Sequence, residues 1–199
     1  LTWYWRVKSE LSIGLDYVKR ALVKTTGLSK THARALLGMG LLTWISGDSQ
    51  SAVNYMHESL DICRKLEIPG EIAIALSEIS EPLLHSGEPE TSLKYSEEGL
   101  KIARELGNPG LINHCLIYYS INLVHTKHYE QGKVLLEELL LSSEKLENIY
   151  GIESALHLIG DCTVGLKDFK EGEIRYAQGI ETSLKYGGMA YVAFDTQGV

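Results

Sequence analysis

The apolar and polar positions of this chain repeat with a period of 40 residues, and four such blocks follow one another without insertion. The blocks span residues 31–70, 71–110, 111–150 and 151–190. A fixed period of this length is typical of a solenoid, in which each unit buries its apolar face only against its neighbours. The period therefore predicts a repeat architecture and argues against a single enclosed active site, while it leaves the ligand open.

The first half of each block has the spacing of an amphipathic helix. In the first block Leu36, Met39 and Trp44 lie at i, i+3 and i+8, and the other blocks have apolar residues at the same columns. The column after Met39 holds only small residues, namely Gly40, Ser80, Ser120 and Gly160. Small side chains at one column predict that a second helix crosses closely there, because larger ones would push the backbones apart.

The second half of each block predicts another helix. Asp48 and Asp168 suit its N-cap, because a short carboxylate accepts from unpaired first-turn amides. Pro89 suits the first helical position, where its missing N–H costs nothing. Gly70 and Gly110, each preceded by proline, are expected to break the chain before the next block. Each block is therefore predicted to be two antiparallel helices joined by a tight turn.

These columns resemble the tetratricopeptide repeat. The family pattern W-x2-L-G-x2-Y…A-x3-F coincides in the first block with Leu36, Met39, Gly40, Thr43, Ala52 and Met56. The resemblance implies an all-α fold, a right-handed α-solenoid of antiparallel helix pairs. The period is 40 residues where the family usually has 34. The long form is similar to repeats in bacterial MalT-like and LuxR- or AfsR-type regulators, which are multidomain signalling ATPases. Kinesin light chains and LGN-type scaffolds have similar long repeats.

The repeats predict one array over residues 1–199, with partial repeats at 1–30 and 191–199. Both ends of the chain fall inside predicted helices, which indicates a fragment of a longer protein. Helix faces exposed at such ends would be apolar and would allow the fragment to self-associate.

Composition narrows the classes of partner and the compartment. The net charge of −7 and the pI near 5.5 disfavour a nucleic-acid-binding surface, which needs clustered Lys and Arg. No apolar run approaches the ~20 residues needed to span a bilayer, and no signal peptide opens the chain. Cys63, Cys115 and Cys162 lack any disulfide or metal spacing, so we expect small buried thiols and a cytoplasmic location.

Catalytic motifs are missing from the sequence. It contains no phosphate-binding loop, no H-E-x-x-H and no nucleophile elbow, and we expect no enzymatic activity, no cofactor and no metal. The nearest metal-like string is His125-Thr-Lys-His128. It lies where the first helix should end, so the i, i+3 geometry of a helix is not expected there.

The resemblance implies that the first helices line a concave groove where partners bind. Transferred by column, the groove residues are Trp3, Arg34, Leu37, Leu41, Ile74, Ser77, Glu81, His85, His114, Ile117, Ile121, His125, Ser154, His157 and Asp161. A mixture of aromatic, aliphatic and few charged side chains suits a peptide or an amphipathic helix. The alternative for each residue is packing between adjacent first helices, which we expect of Trp44, Leu84, Val124 and Val164.

Two features of this surface stay open at the level of sequence. Pro82 interrupts the predicted first helix of the second block, and it either kinks the helix beside Glu81 or is tolerated. Arg34 alone would be a thin clamp for a C-terminal carboxylate, which disfavours a binder of chaperone tails.

The sequence thus leads to two functional hypotheses. The first is a non-enzymatic interaction module that binds a protein or peptide, within a bacterial signalling or transcriptional regulator and beside an ATPase domain of the same chain. The second is a receptor for a small-molecule or peptide inducer, with Tyr118, His157 and Asp161 near the ligand.

Overall fold

A computed structural model describes residues 11–186, and in this range the chain forms nine α-helices and no strand. The helices are α1 (Leu11–Lys24), α2 (Lys30–Ile45), α3 (Ser49–Lys65), α4 (Pro69–His85), α5 (Pro89–Leu106), α6 (Pro109–His125), α7 (Tyr129–Lys145), α8 (Ile149–Gly165) and α9 (Phe169–Tyr186). The chain is therefore an all-α helical-repeat solenoid, as the period predicted, with two helices in each block.

The chain divides into two compact units, the first ending at Gly107 and the second beginning at Asn108. In the first unit, α1 to α4 each contact the helix that follows, and α2 also contacts α4. In the second unit, α6 to α9 are packed in the same way, and α6 also contacts α8. Packing between near neighbours is what a repeat architecture requires. The single array over residues 1–199 stays a prediction.

The caps of the second helices are those that the sequence predicted. Asp48 Oδ1 accepts a hydrogen bond from the backbone N–H of Ser51 at 3.0 Å. Asp168 Oδ1 accepts from the N–H of Glu171 at 3.2 Å. Pro89 is the first residue of α5. These caps satisfy amides that have no partner within the helix.

The breaks between blocks lie earlier than we expected. Pro69 and Pro109 begin α4 and α6, so the glycines that follow them belong to the first helical turn. The chain reverses instead at Glu67 and Gly107, whose φ angles are 51° and 66°. A residue in the left-handed region ends a helix, and proline then starts the next one without losing a needed amide.

Pro82 does not end its helix. Helix α4 runs from Pro69 through the buried Pro82 to His85, and the backbone N–H of Ser86 donates to the carbonyl oxygen of Pro82 at 2.9 Å. Pro82 removes the bond that its amide would have made to the carbonyl of Glu78. Pro82 is therefore accommodated within a continuous helix, and a kink beside Glu81 stays a prediction.

The small columns lie where paired helices approach most closely. A Cβ atom added to Gly40 on α2 would lie 3.0 Å from the carbonyl oxygen of Ala52 on α3. A Cβ added to Gly99 on α5 would lie 3.0 Å from the carbonyl oxygen of Ala73 on α4. Both distances are shorter than ordinary van der Waals contact, so the predicted close crossing is confirmed for these two helix pairs.

Close packing lets the apolar stripes form a continuous core in the first unit. The buried residues that α2, α3 and α4 bring together are Leu37, Val53, Met56, Leu60, Ala75, Leu76, Ile79 and Leu83. Each buried aliphatic side chain of this kind contributes about 1.5–3 kcal/mol relative to its exposed state.

The three cysteines are free and buried, as predicted. Among residues 11–186, no helix combines the length and the apolar character needed to cross a membrane.

The close crossing at Gly99 gives a stability prediction. Gly99→Ala should lower the free energy of unfolding by about 1–3 kcal/mol, because the new methyl group meets a backbone carbonyl that cannot rotate away. Gly70→Ala is the matched control, since its nearest neighbour would be Leu106 Cδ1 at 4.0 Å. This control should gain about 0.5–1 kcal/mol from the helix propensity of alanine. Urea denaturation followed by circular dichroism measures both, and equal effects of the two substitutions would contradict the close crossing.

Candidate functional site

The predicted groove residues within the described range lie on the first helices of the blocks. Helices α2 and α4 carry those of the first unit, and α6 and α8 carry those of the second. Trp3 lies outside the described residues. The structure separates the remaining fourteen residues by exposure and by contact.

Four of the predicted groove residues are buried, namely Leu37, Ser77, Ile117 and Ser154. Leu37 packs in the core of the first unit with Met56 and Ile79. The hydroxyl of Ser154 donates to the carbonyl oxygen of Tyr150 at 2.7 Å. Because these side chains expose almost no area, the expectation that they present a binding surface does not fit their positions. Helices pack on both sides of a first helix, so its exposed stripe is narrower than the columns suggested.

Arg34 remains at the surface but is committed to a partner that the sequence did not suggest. Its Nε and Nη2 atoms donate to the two carboxylate oxygens of Glu71 at 2.9 and 2.7 Å. Lys30 Nζ lies 2.9 Å from the same carboxylate. The Glu71 side chain is 8% exposed, whereas Arg34 and Lys30 are 59% and 49% exposed. A buried carboxylate thus fixes two exposed cations on α2.

The cations set the protonation of Glu71. Its pKa is lowered, first because Arg34 hydrogen-bonds the carboxylate, while burial acts in the opposite direction and Lys30 adds a further lowering. Because one carboxylate meets two cations, this cluster keeps one unit of positive charge. Lys30 was absent from the predicted site since it precedes the helical stripe in the sequence.

The other exposed part of the first unit is aromatic and apolar. The rings of Trp44 on α2 and His85 on α4 stack with centroids 6.0 Å apart and an interplanar angle of 29°. Leu41 and Ile74 are half-buried and pack against the core. Glu81 is also half-buried. Trp44 thus contacts the adjacent first helix, whereas Val164, for which we expected the same packing, is 38% exposed.

The second unit contains a polar cluster that joins α8 to α9. The hydroxyl of Tyr176 donates to Asp161 Oδ1 at 2.6 Å, and His157 Nε2 lies 3.7 Å from Asp161 Oδ2. The rings of His157 and Tyr176 are 5.6 Å apart. His157 and Asp161 were predicted site residues and are partly exposed. Tyr176 lies at the column of the buried Met56, and the facing Gly160 provides the room for its ring.

The three remaining predicted residues, His114, Ile121 and His125, lie on α6. His114 is 5.0 Å from the ring of Tyr118, and burial lowers the pKa of His114 to about 4. It is therefore neutral at pH 7. Ile121 is half-buried, and His125 is exposed at the end of the helix.

One titratable residue of the first helices was missed by the sequence reasoning. Burial, with a smaller contribution from the charge of Glu71, raises the pKa of Glu78 to about 8. Glu78 lies on α4 seven residues after Glu71, so the two carboxyl groups share one face of this helix. Their environments set them apart, since one is ionised beside two cations and the other holds its proton at neutral pH.

The metal-like string is not preorganised for a metal. Helix α6 ends at His125, and His128 stands outside it at the start of α7 with its Nδ1 atom 2.9 Å from Thr126 Oγ1. Across residues 11–186, no three His, Cys, Asp or Glu side chains are grouped as metal ligands.

Comparison with known proteins identifies the fold. No protein-family model and no curated protein matches the chain. A Rap protein complexed with Competence and Sporulation Factor superposes with a TM-score of 0.74 at 21% identity, over 87% of this chain and 48% of that one. A putative kinesin light chain from Podospora anserina, with nearly identical TPR-like repeats, gives a TM-score of 0.70 at 11% identity over 94% and 93%. The chain has a tetratricopeptide-like fold.

A bacterial structure also shares the tetratricopeptide-like fold. PlcR from Bacillus thuringiensis, in complex with the peptide PapR7 and DNA, superposes with a TM-score of 0.75 at 14% identity. The match covers 96% of this chain and 70% of that one. This chain spans about half the length of the Rap structure, so these similarities concern the repeat fold alone.

The Glu71 cluster predicts how stability responds to acid. Because the folded-state pKa of Glu71 is depressed, its contribution is present above the unfolded pKa of about 4.3 and is lost as the pH falls through the folded value. Glu71→Gln should therefore cost about 1.5–3 kcal/mol at pH 7 and less near pH 2. Denaturation at both pH values measures the difference. The exposed Glu97→Gln on α5 is the control, and an equal effect at both pH values would contradict the ion-pair account.

The contribution of Glu78 to stability should respond to pH in the opposite direction. Its folded-state pKa of about 8 lies above the unfolded value of about 4.3. Between these two pH values the folded chain keeps a proton that the unfolded chain has already released. Stability from this residue therefore falls as the pH rises, by at most about 1.4 kcal/mol per unit. Glu78→Gln should be more stable than the parent chain at pH 8 and about equal at pH 4. A variant that is no more stable at pH 8 would show that the carboxyl is ionised in the fold.

Proposed function

We propose that this chain is a non-enzymatic module that binds a peptide or a protein segment on the exposed stripes of its first helices. The observation that carries the proposal is the contrast between columns. Most buried columns keep their apolar or small character from block to block, whereas the exposed or partly exposed stripes differ. These stripes present Arg34 and His85 in the first unit, and His157 and Asp161 in the second.

The chemistry of these stripes suits recognition of an extended or helical segment. Stacked aromatic rings and half-buried aliphatic side chains supply apolar anchors, and the polar groups beside them fix orientation. The ion pair at Glu71 and the hydrogen bond from Tyr176 to Asp161 hold charged groups in place before a partner arrives. Preorganisation of this kind lowers the entropic cost of binding.

The properties of the cysteines favour binding over catalysis. All three thiols are buried, and burial raises the pKa of Cys162 to about 12. A thiol with so high a pKa is not a thiolate near neutral pH, and the thiolate is the nucleophilic form. The buried titratable residues Glu78 and His114 are neutral at pH 7, which suits packing.

The comparisons support the class of ligand. PlcR was solved with the peptide PapR7, and the Rap protein with Competence and Sporulation Factor. Together with the long repeat period, they support a place in a bacterial signalling or transcriptional regulator, where binding would change how the array docks on a neighbouring domain. We assign the chain to the cytoplasm on the same grounds and on its free thiols.

A receptor for a small-molecule or peptide inducer is the second candidate. The cluster of His157, Asp161 and Tyr176 favours it, because it places a partly exposed carboxylate between an imidazole and a phenol. Tyr118 on the neighbouring α6 would contribute a further aromatic ring.

Selection from a displayed library of random peptides tests the proposal. The triple variant Arg34→Ala, His85→Ala and His157→Ala should bind the selected peptides at least ~10-fold more weakly, because three exposed contacts are removed. The matched control changes three exposed residues of α5, with Lys94→Ala, Glu97→Ala and Lys101→Ala, and should bind as the parent chain does. Fluorescence anisotropy measures both affinities.

Nuclear magnetic resonance separates the two candidates. Bound peptide should shift amide resonances of α2, α4, α6 or α8, and shifts confined to α3, α5, α7 and α9 would refute the first-helix assignment. If nucleotides or sugars raise the melting temperature and the library yields no peptide that binds, the small-molecule receptor is favoured instead.

A further inference from the structure

The charges of this chain are distributed very unevenly along it. Between Leu11 and Arg34 lie five cations, which are Lys19, Arg20, Lys24, Lys30 and Arg34, and Asp16 is the only acid. This stretch therefore has a net charge of +4, whereas the whole chain has −7. Lys30 and Arg34 of this stretch lie on α2 and contact Glu71, so α1 itself has a net charge of +2, with Arg20 3.8 Å from Asp16. Helix α1 is therefore mildly basic on an acidic protein.

The exposed side of α1 combines these charges with apolar side chains. Ile13, Tyr17, Arg20 and Lys24 follow one another at spacings of four, three and four residues, so they form one stripe along the helix. The side chains of Ile13 and Tyr17 are exposed, and the guanidinium of Arg20 lies 5.6 Å from the centroid of the Tyr17 ring. We call these four residues the basic stripe.

Helix α7 has an exposed stripe of the opposite charge. Glu130, Val134, Glu137, Leu141 and Glu144 recur at spacings of four and three residues, and all five are exposed. Val134 and Leu141 are 65% and 59% exposed even though α7 packs against both α6 and α8. We call these five residues the acidic stripe.

The other blocks show which part of the acidic stripe is unusual. At the columns of Val134 and Leu141, α3 has Asn54 and Asp61, α5 has Lys94 and Lys101, and α9 has Ile174 and Glu181. Ile174 is exposed as Val134 is, so an aliphatic residue at the first column is shared with α9, and only α7 has aliphatic residues at both columns. On α7 these two side chains are mostly exposed and alternate with carboxylates.

We propose that the acidic stripe of one copy of this chain binds the basic stripe of a second copy. The acidic stripe alternates acidic and aliphatic residues, whereas the basic stripe has its apolar residues Ile13 and Tyr17 before its cations Arg20 and Lys24. In the pairing, aliphatic side chains of α7 meet Ile13 and Tyr17 while carboxylates meet Arg20 and Lys24. The contact is heterologous, since two different surfaces pair, so one copy keeps its basic stripe free and the other keeps its acidic stripe free. Exposed ion pairs contribute little individually, so the association is weak and sensitive to salt. This inference does not depend on the proposed peptide binding.

Sedimentation velocity of the full chain over a range of concentrations tests the pairing. In dilute salt the weight-average sedimentation coefficient should rise with concentration, and about 0.5 M NaCl should suppress the rise because it screens exposed charges. The charge reversals Arg20→Glu with Lys24→Glu should abolish association, as should Glu137→Lys with Glu144→Lys. The four reversals combined in one chain should restore it, because the charges are again complementary.

The matched control is Glu97→Lys with Glu105→Lys on α5, which makes the same change in net charge on another exposed helix. This variant should associate as the parent chain does, and circular dichroism should show that every variant is folded. A parent chain that sediments as a monomer at all concentrations in dilute salt would overturn the proposal. Failure of the combined variant to associate, or loss of association in the α5 control, would overturn it as well.

Discussion

The close approach of paired helices is the constraint on which the rest of this structure depends. A solenoid has no central core, so each helix must bury its apolar stripe against its immediate neighbours. At Gly40 and Gly99 the backbones are so near that one added carbon would meet a carbonyl oxygen. Where the helices are this close, the aliphatic side chains beside the crossing fill the space between them, as Met56 and Leu76 do in the first unit. The exposed stripes are left narrow for the same reason.

Because each helix is held by its neighbours through buried residues, the exposed residues can differ from one block to the next without changing the fold. In the first unit the outer positions of α2 and α4 hold a charged cluster around Glu71 and a stacked pair of rings. In the second unit the equivalent helices hold His157 and Asp161. Even buried columns vary when the change is made in pairs. Asn113 donates to Ser143 at 3.1 Å, and Ser183 donates to Glu153 at 2.8 Å, at columns where the first unit has alanine or cysteine. A buried polar group needs a partner, so both members of the pair change together.

The candidate site was only partly predictable from the sequence. The column pattern correctly assigned its residues to first helices, and it selected His157 and Asp161, which lie together. It failed for Leu37 and Ile117, since column position cannot distinguish a side chain that faces solvent from one that faces the adjacent helix. It also missed Glu71 and Tyr176, because each contacts a residue on another helix, at separations of 37 and 15 residues along the chain. The available sign of a buried ion pair was the charge of Glu71 on a mostly apolar helix.

By itself the sequence determined the period, the helix pairs, the caps of the second helices and the close crossings at the small columns. These features follow from short-range rules, because apolar spacing, small residues and capping side chains act within one block or between adjacent ones. Only the tertiary structure decided which polar residues pair, how far each is exposed and what charge it carries. Arg34 is engaged by a buried carboxylate, Glu78 keeps its proton and His114 is neutral, each because of neighbours that the fold supplies. The electrostatics of a side chain depend on three-dimensional burial and on partners distant in sequence, and no local pattern encodes either.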